Sequence, residues 1–258
     1  MKFIILTIFP EMFESFLNTS ILKRAISKKL VEIELVNIRD YTKDKYNRVD
    51  TPPIGGGAGL IMKCQPIIDA LQAKSSPEAH KIILAPRGSK YDQAKALELS
   101  KEKEIVIMCG HYEGVDERVY SYFDESISIG DYILTGGETA AFCLIDSISR
   151  LINGVISEDS IVEESFSNQL LEYPQYTEPF EYNGEKVPEI LYSGNHTAIN
   201  KYHKKMSIFM TQKYRPDLLV NYKFTKEELK LIDELKSNIQ GDWETKAIEK
   251  GSKFTKNH

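Results

Sequence analysis

Two glycine-rich segments are the residues of this 258-residue chain best suited to hold a ligand. They read CGHYEGVDER at 109–118 and SIGDYILTGGE at 128–138, and each follows a short apolar stretch. Glycine lets the backbone approach a ligand closely, and glycine-rich turns after the strands of an α/β sheet commonly form a binding site. The chain has neither a GxxxxGK[ST] motif nor a GxGxxG motif after its first strand. The two segments therefore predict a site for an adenosine-like ligand without a demanding phosphate group.

A third segment belongs to the same predicted site. It reads LAPRGSKYDQA at 84–94, follows another apolar stretch and leads into a helical pattern. Three successive strands would then deliver loops to one carboxyl edge, which favours a shared pocket over unrelated turns. A fourth segment, RVDTPPIGGGAGLIM at 48–62, has no lysine or serine directly after its glycines. It makes a poor phosphate loop, and we interpret it as a mobile surface loop.

A basic and aromatic segment near the carboxyl end is the second candidate site. Between residues 196 and 216 the chain has no Asp or Glu. The cations and aromatic residues of this segment are Lys201, Lys204, Lys205, Lys213, Arg215, Tyr202, Phe209 and Tyr214. At helical spacing Lys201 and Lys205 share a face, which suits contact with the phosphates of a polyanion. The pattern also fits a solvated helix face with aromatic residues in the core, and both interpretations stay open.

Short apolar stretches alternate with helical patterns over roughly the first 155 residues. The predicted strands are 3–9, 31–38, 81–85, 104–109 and 125–129. The predicted helices are 10–29, 91–101 and 138–152. This alternation predicts an α/β fold, with a mostly parallel sheet that carries helices on both faces. Such a sheet would bring the glycine-rich segments to the same edge.

The character of the sequence changes after this alternating part. Residues 155–195 are acidic and polar at first and then rich in proline and tyrosine. Residues 197–250 are helical in pattern, with a Thr-x-x-Glu capping box at Thr225 and Glu228. We therefore predict a sheet domain at 1–157, a linker at 158–172 and a small, mainly helical domain at 173–258.

Composition limits the class of protein further. Hydrophobic residues make up 41% and charged residues 28% of the chain, as in an ordinary globular protein. The three cysteines lie far apart and the five histidines form no HExxH motif, so we expect no disulfides, no zinc site and a cytoplasmic location. The apolar run at 3–9 is too short to span a bilayer, and a net charge of −5 argues against coating nucleic acid over the whole surface. We expect no membrane and no DNA partner.

An ordered set of motifs resembles the bacterial tRNA (guanine-N1)-methyltransferase family, TrmD. The motifs are FPEMF at 9–13, RVDTPPIGGGAGL at 48–60, CGHYEGVDERV at 109–119, SIGDYILTGGE at 128–138, LLEYPQYT at 170–177, VPEILYSGNH at 187–196 and RPDLL at 215–219. They extend through nearly the whole chain. The resemblance implies a SPOUT-class fold whose sheet domain is tied in a trefoil knot, an exception to unthreaded chain connectivity. It also implies a homodimer, S-adenosylmethionine held in the knot, and tRNA lying across both subunits.

The resemblance assigns the predicted pocket to S-adenosylmethionine. The residues at the family's cofactor positions are Leu84, Ala85, Pro86, Gly110, Ile129, Gly130, Asp131, Tyr132, Ile133, Leu134, Gly136 and Gly137. Adenine recognition needs mostly backbone donors and acceptors with apolar walls, which such loops supply. We expect Glu113 to act on the cofactor or in a requirement for Mg²⁺. Its neighbours Asp116, Glu117 and Arg118 would form ion pairs that stiffen the loop or the dimer contact.

The resemblance also implies which residues carry the reaction. Neutral guanine has no free lone pair at N1, so its methylation needs a carboxylate to remove the N1 proton and a cation to hold negative charge at O6. The family uses an Asp-Ser-Phe motif and an arginine at the end of the helix after the segment 128–138, where this chain has Glu163-Glu164-Ser165-Phe166 and Arg150. Glu164 is therefore the expected general base, with Glu163 as its neighbour. Both glutamates would also suit a plain linker.

Contacts with the substrate are expected from the basic segment, because the resemblance makes tRNA the polyanion. The expected contact residues are Lys201, Lys204, Lys205, Arg215 and Ser165. The expected target is N1 of the guanosine at position 37, next to the anticodon.

The chain departs from the family pattern at several positions that bear on tRNA docking. Asn153, Glu178 and Tyr202-His203 stand where proline, arginine and Trp-Arg are usual. Two other functions therefore stay open at this point. One is a related enzyme that methylates a ribose 2′-hydroxyl of RNA, and the other is a protein that binds tRNA or cofactor without turnover.

Overall fold

A five-stranded parallel sheet forms the frame of the first part of the chain. The computed structural model describes residues 1–157, 165–166, 169–237 and 239–251, which divide into a first unit up to residue 158 and a second unit from residue 159. The strands of the sheet are β1 Lys2–Thr7, β2 Glu32–Asn37, β5 His80–Lys90, β6 Glu104–Cys109 and β7 Glu125–Ser128. Their order is β2-β1-β6-β5-β7, with every neighbouring pair parallel. The predicted mostly parallel sheet is confirmed.

Helices cover both faces of this sheet. They are α1 Glu14–Leu17, α2 Ser20–Ser27, α3 Cys64–Lys74, α4 Gln93–Leu99 and α5 Glu138–Ser149. Because successive side chains of a strand point to opposite faces, Phe3 and Ile5 pack in one core with residues of α2, α4 and α5. Ile4 and Leu6 pack in the other core with residues of α3. The α/β fold class predicted from the sequence is therefore confirmed.

Smaller elements connect the main ones. The short strands β3 Asp50–Thr51 and β4 Ile61–Met62 form an antiparallel pair. In the second unit, β8 Glu181–Tyr182 and β9 Glu185–Lys186 form another. The 3₁₀ turns are Pro10–Phe13, Ile38–Tyr41, Glu117–Tyr122, Glu189–Tyr192 and Pro216–Leu219.

The predicted helix at 10–29 is wrong in one respect, since it is not continuous. A 3₁₀ turn and α1 come first, Thr19 is extended, and Ser20, the first residue of α2, has a φ of +52°. The side chains of Asn18 and Thr19 donate hydrogen bonds to the carbonyls of Glu14 and Ser15, at 2.7 Å and 2.6 Å. Short polar side chains that compete for backbone groups in this way interrupt a helix.

The second unit is mainly helical, as predicted. Its helices are α6 His196–Tyr214, α7 Lys226–Ser237 and α8 Asp242–Gly251. Ile208 of α6 packs with Leu231 and Ile232 of α7. The predicted capping box at the start of α7 is present: the backbone N–H of Thr225 donates to Glu228 Oε2 at 2.8 Å, and that of Glu228 donates to Thr225 Oγ1 at 3.2 Å.

Candidate functional site

The carboxyl ends of β5, β6 and β7 surround a cavity of about 380 Å³. The three glycine-rich segments of the first unit all contribute to its wall, so the convergence predicted from the sequence is observed. The predicted cofactor residues that line it are Leu84, Ala85, Pro86, Gly110, Glu113, Ile129, Gly130, Tyr132, Ile133, Leu134, Gly136 and Gly137.

Asp131 is the exception among the predicted cofactor residues. Its side chain is exposed, and it does not belong to the described lining of the cavity. In contrast, His111, Tyr112 and Tyr120 line the cavity although they were not among the predicted cofactor residues. The first two lie inside the glycine-rich segment 109–118, and that position was the only signal in the sequence that could have found them.

The first loop of the cavity is a bulge within β5. The pairing of β5 with β7 shifts register between Leu84 and Ser89, so residues 85–88 leave the ladder. The strand is therefore longer than the predicted 81–85. Gly88 lets the returning chain pass close to β7, because a Cβ atom there would lie 2.5 Å from the backbone nitrogen of Ile127. The bulge places Ala85 and Pro86 in the cavity wall.

The second and third loops are joined backbone to backbone. The N–H of Gly137 donates to the carbonyl of Gly110 at 2.8 Å, and His111 and Gly136 form an isolated antiparallel bridge. A Cβ atom on Gly137 would lie 2.8 Å from Cys109 Cα, which is closer than real Cβ atoms come to other heavy atoms. The contact between the two loops therefore requires glycine at position 137.

The chemistry of the cavity wall restricts the ligand. No lysine or arginine belongs to the lining that the structure describes, and Glu113 is its one acidic side chain. The remaining wall is largely apolar, with Leu84, Ile127 and Ile129 among its residues. A phosphate group would meet no cation there, whereas a neutral or positively charged ligand is compatible with such a wall.

Glu113 is held against the glycine-rich segment 48–62. Its backbone N–H donates to the carbonyl of Leu60 at 3.0 Å, and Met62 N–H donates to the carbonyl of Gly114 at 3.0 Å. Gly59 has a φ of +72° and lies so close to the Glu113 side chain that a Cβ atom would not fit. Residues 54–59 of the segment are exposed, as expected of a surface loop, whereas its last residues are fixed beside the cavity.

Ion pairs link the charged residues around Glu113. Arg118 binds Asp116 at 2.8 Å, and this hydrogen bond holds the pKa of the Asp116 carboxyl well below its usual range. Arg87 binds Glu117 at 2.7 Å and lies 3.4 Å from the centre of the Tyr120 ring. The Arg87 contacts join the first loop to the second.

A buried carboxylate lies behind the third loop. Glu138, at the start of α5, is 1% exposed and accepts a hydrogen bond from Thr7 Oγ1 at 2.8 Å. His111 Nδ1 is 3.8 Å from Glu138 Oε2 and is itself buried without a hydrogen-bond partner among the described residues. The positive end of the α5 dipole favours a carboxylate at this position. Glu138 therefore connects β1, the second loop and α5 below the cavity.

Comparison with known proteins identifies the group to which this site belongs. Residues 1–221 match the family model described as tRNA (Guanine-1)-methyltransferase TrmD. The chain belongs to this family. The TrmD family has the SPOUT fold and consists of methyltransferases that use S-adenosylmethionine.

Three relatives illustrate the similarity, and each is named tRNA (guanine-N(1)-)-methyltransferase. The Clostridium botulinum relative is 55% identical over 234 residues, which are 90% of this chain and 98% of that protein. The Caldicellulosiruptor saccharolyticus relative is 54% identical, with 90% and 96% covered. The Clostridium perfringens relative is 53% identical, with 90% and 99% covered. Neither the 2′-hydroxyl alternative nor the non-catalytic one is supported by these comparisons.

The two expected catalytic residues differ in what the structure describes. Arg150 directly follows Ser149, the last residue of α5, and is half-buried. Glu163 and Glu164 lie outside the described residues. The neighbouring Ser165 is described, and its Oγ accepts a hydrogen bond from the backbone N–H of Glu172 at 2.9 Å.

The cations of the basic segment in α6 are largely matched by carboxylates of the same unit. Lys205 is 6% exposed, with its Nζ 3.0 Å from Glu234 and 3.2 Å from Glu244, so its burial argues against a direct phosphate contact. The other pairs are Lys201 with Glu227 at 4.0 Å, Lys204 with Glu228 at 3.7 Å and Arg215 with Asp217 at 2.7 Å.

The described part of the chain offers neither a metal-binding cluster nor a membrane-spanning helix. Within the part of the chain that the structure describes, no three His, Cys, Asp or Glu side chains cluster in a way that could hold a metal ion. None of the helices in that part has the length and apolar character that crossing a membrane requires.

Replacing Gly137 with alanine tests the contact between the second and third loops. The added Cβ would lie 2.8 Å from Cys109 Cα and 3.0 Å from the nitrogen of Gly110, so the loops must separate. Overpacking of this kind costs about 1–3 kcal/mol, and we expect at least a fivefold loss of affinity for S-adenosylmethionine by calorimetry. Thr139→Ala, at an exposed position in the first turn of α5, is the control. Unchanged affinity in Gly137→Ala would contradict the described contact.

A double-mutant cycle between Thr7 and Glu138 tests the buried hydrogen bond. Thr7→Val leaves the buried carboxylate without the hydroxyl that donates to it, which costs about 1–3 kcal/mol of unfolding free energy. Once Glu138 is replaced by Gln, the same Thr7→Val change should cost less, because the charge that needed the donor is gone. Urea unfolding of the four proteins gives the coupling, and strictly additive effects would show that the two side chains do not interact.

Proposed function

We propose that this protein transfers the methyl group of S-adenosylmethionine to N1 of the guanosine at position 37 of tRNA. Membership of the TrmD family carries the methyltransferase activity and the tRNA substrate. The single structural observation that supports the cofactor assignment is the cavity at the ends of β5, β6 and β7, with its described lining free of lysine and arginine.

S-adenosylmethionine fits the residues of this cavity. Small-molecule sites measure about 300–1,000 Å³, and the cavity of about 380 Å³ lies within that range. Adenosine can be recognised by backbone groups and apolar walls, and the ligand carries no phosphate that would need a cation. When bound, it supplies an electrophilic methyl group on a positively charged sulfur.

The reaction needs a base and a cation that the cavity wall itself does not provide. We assign Glu164 as the base that accepts the N1 proton of guanine, with Glu163 as the neighbouring candidate. We assign Arg150 as the cation that stabilises the negative charge developing on O6. Alignment of the guanine nitrogen with the methyl group is then the remaining requirement, and it depends on how the tRNA is held.

We also propose that the methyl transfer requires Mg²⁺, which would act through Glu113. Glu113 is the acidic side chain of the described cavity wall, and carboxylate oxygens are the ligands that Mg²⁺ prefers.

The remaining expectations complete the proposal. Residues 1–157 would hold the cofactor, 158–172 would form the linker, and 173–258 would bind tRNA through Lys201, Lys204, Arg215 and Ser165. Burial gives Lys205 a structural role in this scheme. A trefoil knot is supported by the close passage of Gly88 against β7 and the return of Gly137 to Gly110. We further propose a homodimer in the cytoplasm.

The direct test is methylation of tRNA transcripts with guanosine or adenosine at position 37. Purified protein with labelled S-adenosylmethionine should produce 1-methylguanosine from the first transcript only, as measured by nucleoside analysis. A 2′-O-methyl product, or binding without transfer, would contradict the proposal.

The base assignment is tested by Glu164→Gln, which keeps the size of the side chain and removes its basicity. General-base catalysis contributes about 10²–10⁴-fold, so we expect kcat to fall by at least about a hundredfold. Glu163→Gln is the matched control and Glu164→Asp should retain activity. Near-normal turnover of Glu164→Gln would show that another group removes the proton.

A further inference from the structure

A second acid-free segment of the chain carries cations, and it lies in the first unit. Residues 15–31 contain no Asp or Glu but include Lys23, Arg24, Lys28 and Lys29. The first two lie on α2 and the other two directly follow its end. All four side chains are exposed. We call these four residues the α2 patch.

The α2 patch differs from the basic segment of α6 in its ion pairing. In α6, Lys201, Lys204 and Lys205 each have a glutamate oxygen within 4.0 Å. Around the α2 patch, the described residues place no carboxylate within that distance of any of the four cations. The nearest acid along the chain on the carboxyl side is Glu32, which pairs with Lys2 at 4.0 Å. The patch therefore produces a local positive potential on a protein whose net charge is −5.

The cap at the end of α2 also carries a cation, at a position where the backbone favours glycine. Lys29 has a φ of +57°, and Leu30 N–H donates to the carbonyl of Ala25 at 3.0 Å, which is the hydrogen-bond pattern of a Schellman cap. Glycine is the favoured residue at that position, yet the chain has a lysine there. The dipole of α2 favours cations near its last turn but does not neutralise them. The four charges therefore remain available to an anion outside the helix.

The surroundings of the patch relate it to the expected reaction. Leu30 directly follows the patch, and one of its methyl carbons would lie 3.5 Å from a Cβ atom on Gly154. Gly154 belongs to the segment that follows Arg150, the proposed oxyanion-binding residue. The patch is thus on the same side of the first unit as the chain leaving α5.

From these observations, we propose that the α2 patch binds the phosphate backbone of the tRNA substrate. This inference rests on the proposed function for the identity of the RNA. Phosphates are contacted by exposed lysines and arginines, and each contact releases counterions, so such binding weakens with salt. The patch holds the substrate and takes no part in the chemical step.

The test compares two variants that lose the same charge. The patch variant is Lys23→Gln, Arg24→Gln, Lys28→Gln and Lys29→Asn, since asparagine tolerates a positive φ. The matched control replaces Lys74, Lys95, Lys101 and Lys103 with Gln. Lys74 and Lys95 already pair with Glu34 and Glu98, and Lys101 and Lys103 lie just before β6, at the opposite edge of the sheet from the cavity.

Affinity of each full-length protein for a guanosine-37 tRNA transcript is measured over a range of KCl concentrations, together with affinity for S-adenosylmethionine. We expect the patch variant to bind tRNA at least about tenfold more weakly. The magnitude of the negative slope of log K against log salt should fall by about two to three. Its affinity for S-adenosylmethionine should stay unchanged, and the control variant should behave as the original protein.

Three results would overturn the inference. One is equal tRNA affinity and salt slope in the patch variant and the original protein, and another is an equal loss in the control variant. The third is a change of sedimentation coefficient in the patch variant, which would make the patch a contact between copies of this chain. Because binding is measured without methylation, failure of the proposed function would appear separately, as absence of 1-methylguanosine from the original protein.

Discussion

The close approach of three backbone segments at one edge of the sheet is the constraint on which the rest of the site depends. Gly88 lets the bulge of β5 pass against Ile127, and Gly137 lets the third loop bond to Gly110. Neither contact leaves room for a Cβ atom. The cavity, the position of Glu113 and the start of α5 at the buried Glu138 all follow from this packing, because each lies on a segment that one of these contacts fixes.

The sequence could predict this edge because its signals are local. Apolar stretches that end in glycine indicate strand ends, and the carboxyl ends of parallel strands meet at one edge. The bulge of β5 could not be predicted, since it depends on pairing with β7, which follows more than thirty residues later. Nor did any pattern point to the pairing of Glu138 with Thr7, 131 positions away. The prediction of one continuous helix at 10–29 was wrong for another reason, because the side chains of Asn18 and Thr19 donate hydrogen bonds to nearby backbone carbonyls.

Ion pairing of the basic segments likewise could not be predicted from the sequence. The acid-free segment at 196–216 predicted a basic surface, but Glu227, Glu228, Glu234 and Glu244 of α7 and α8 come back to pair with its lysines. The four cations of the α2 patch, in contrast, have no carboxylate partner among the described residues. A run of lysines is thus informative only when the packing of later helices is known. The methyl donor and the tRNA place different demands on the first unit, and separate surfaces can meet them.

We propose that the three loops bind S-adenosylmethionine by close backbone contact, in a site whose described lining has no lysine or arginine for a phosphate group. Hydrogen exchange measured with and without the ligand tests it most directly, with ATP as the comparison. We expect slower exchange in segments 84–90, 109–118 and 128–138 when S-adenosylmethionine is added, and no such change with ATP. Equal protection by ATP, or protection confined to other parts of the chain, would contradict it.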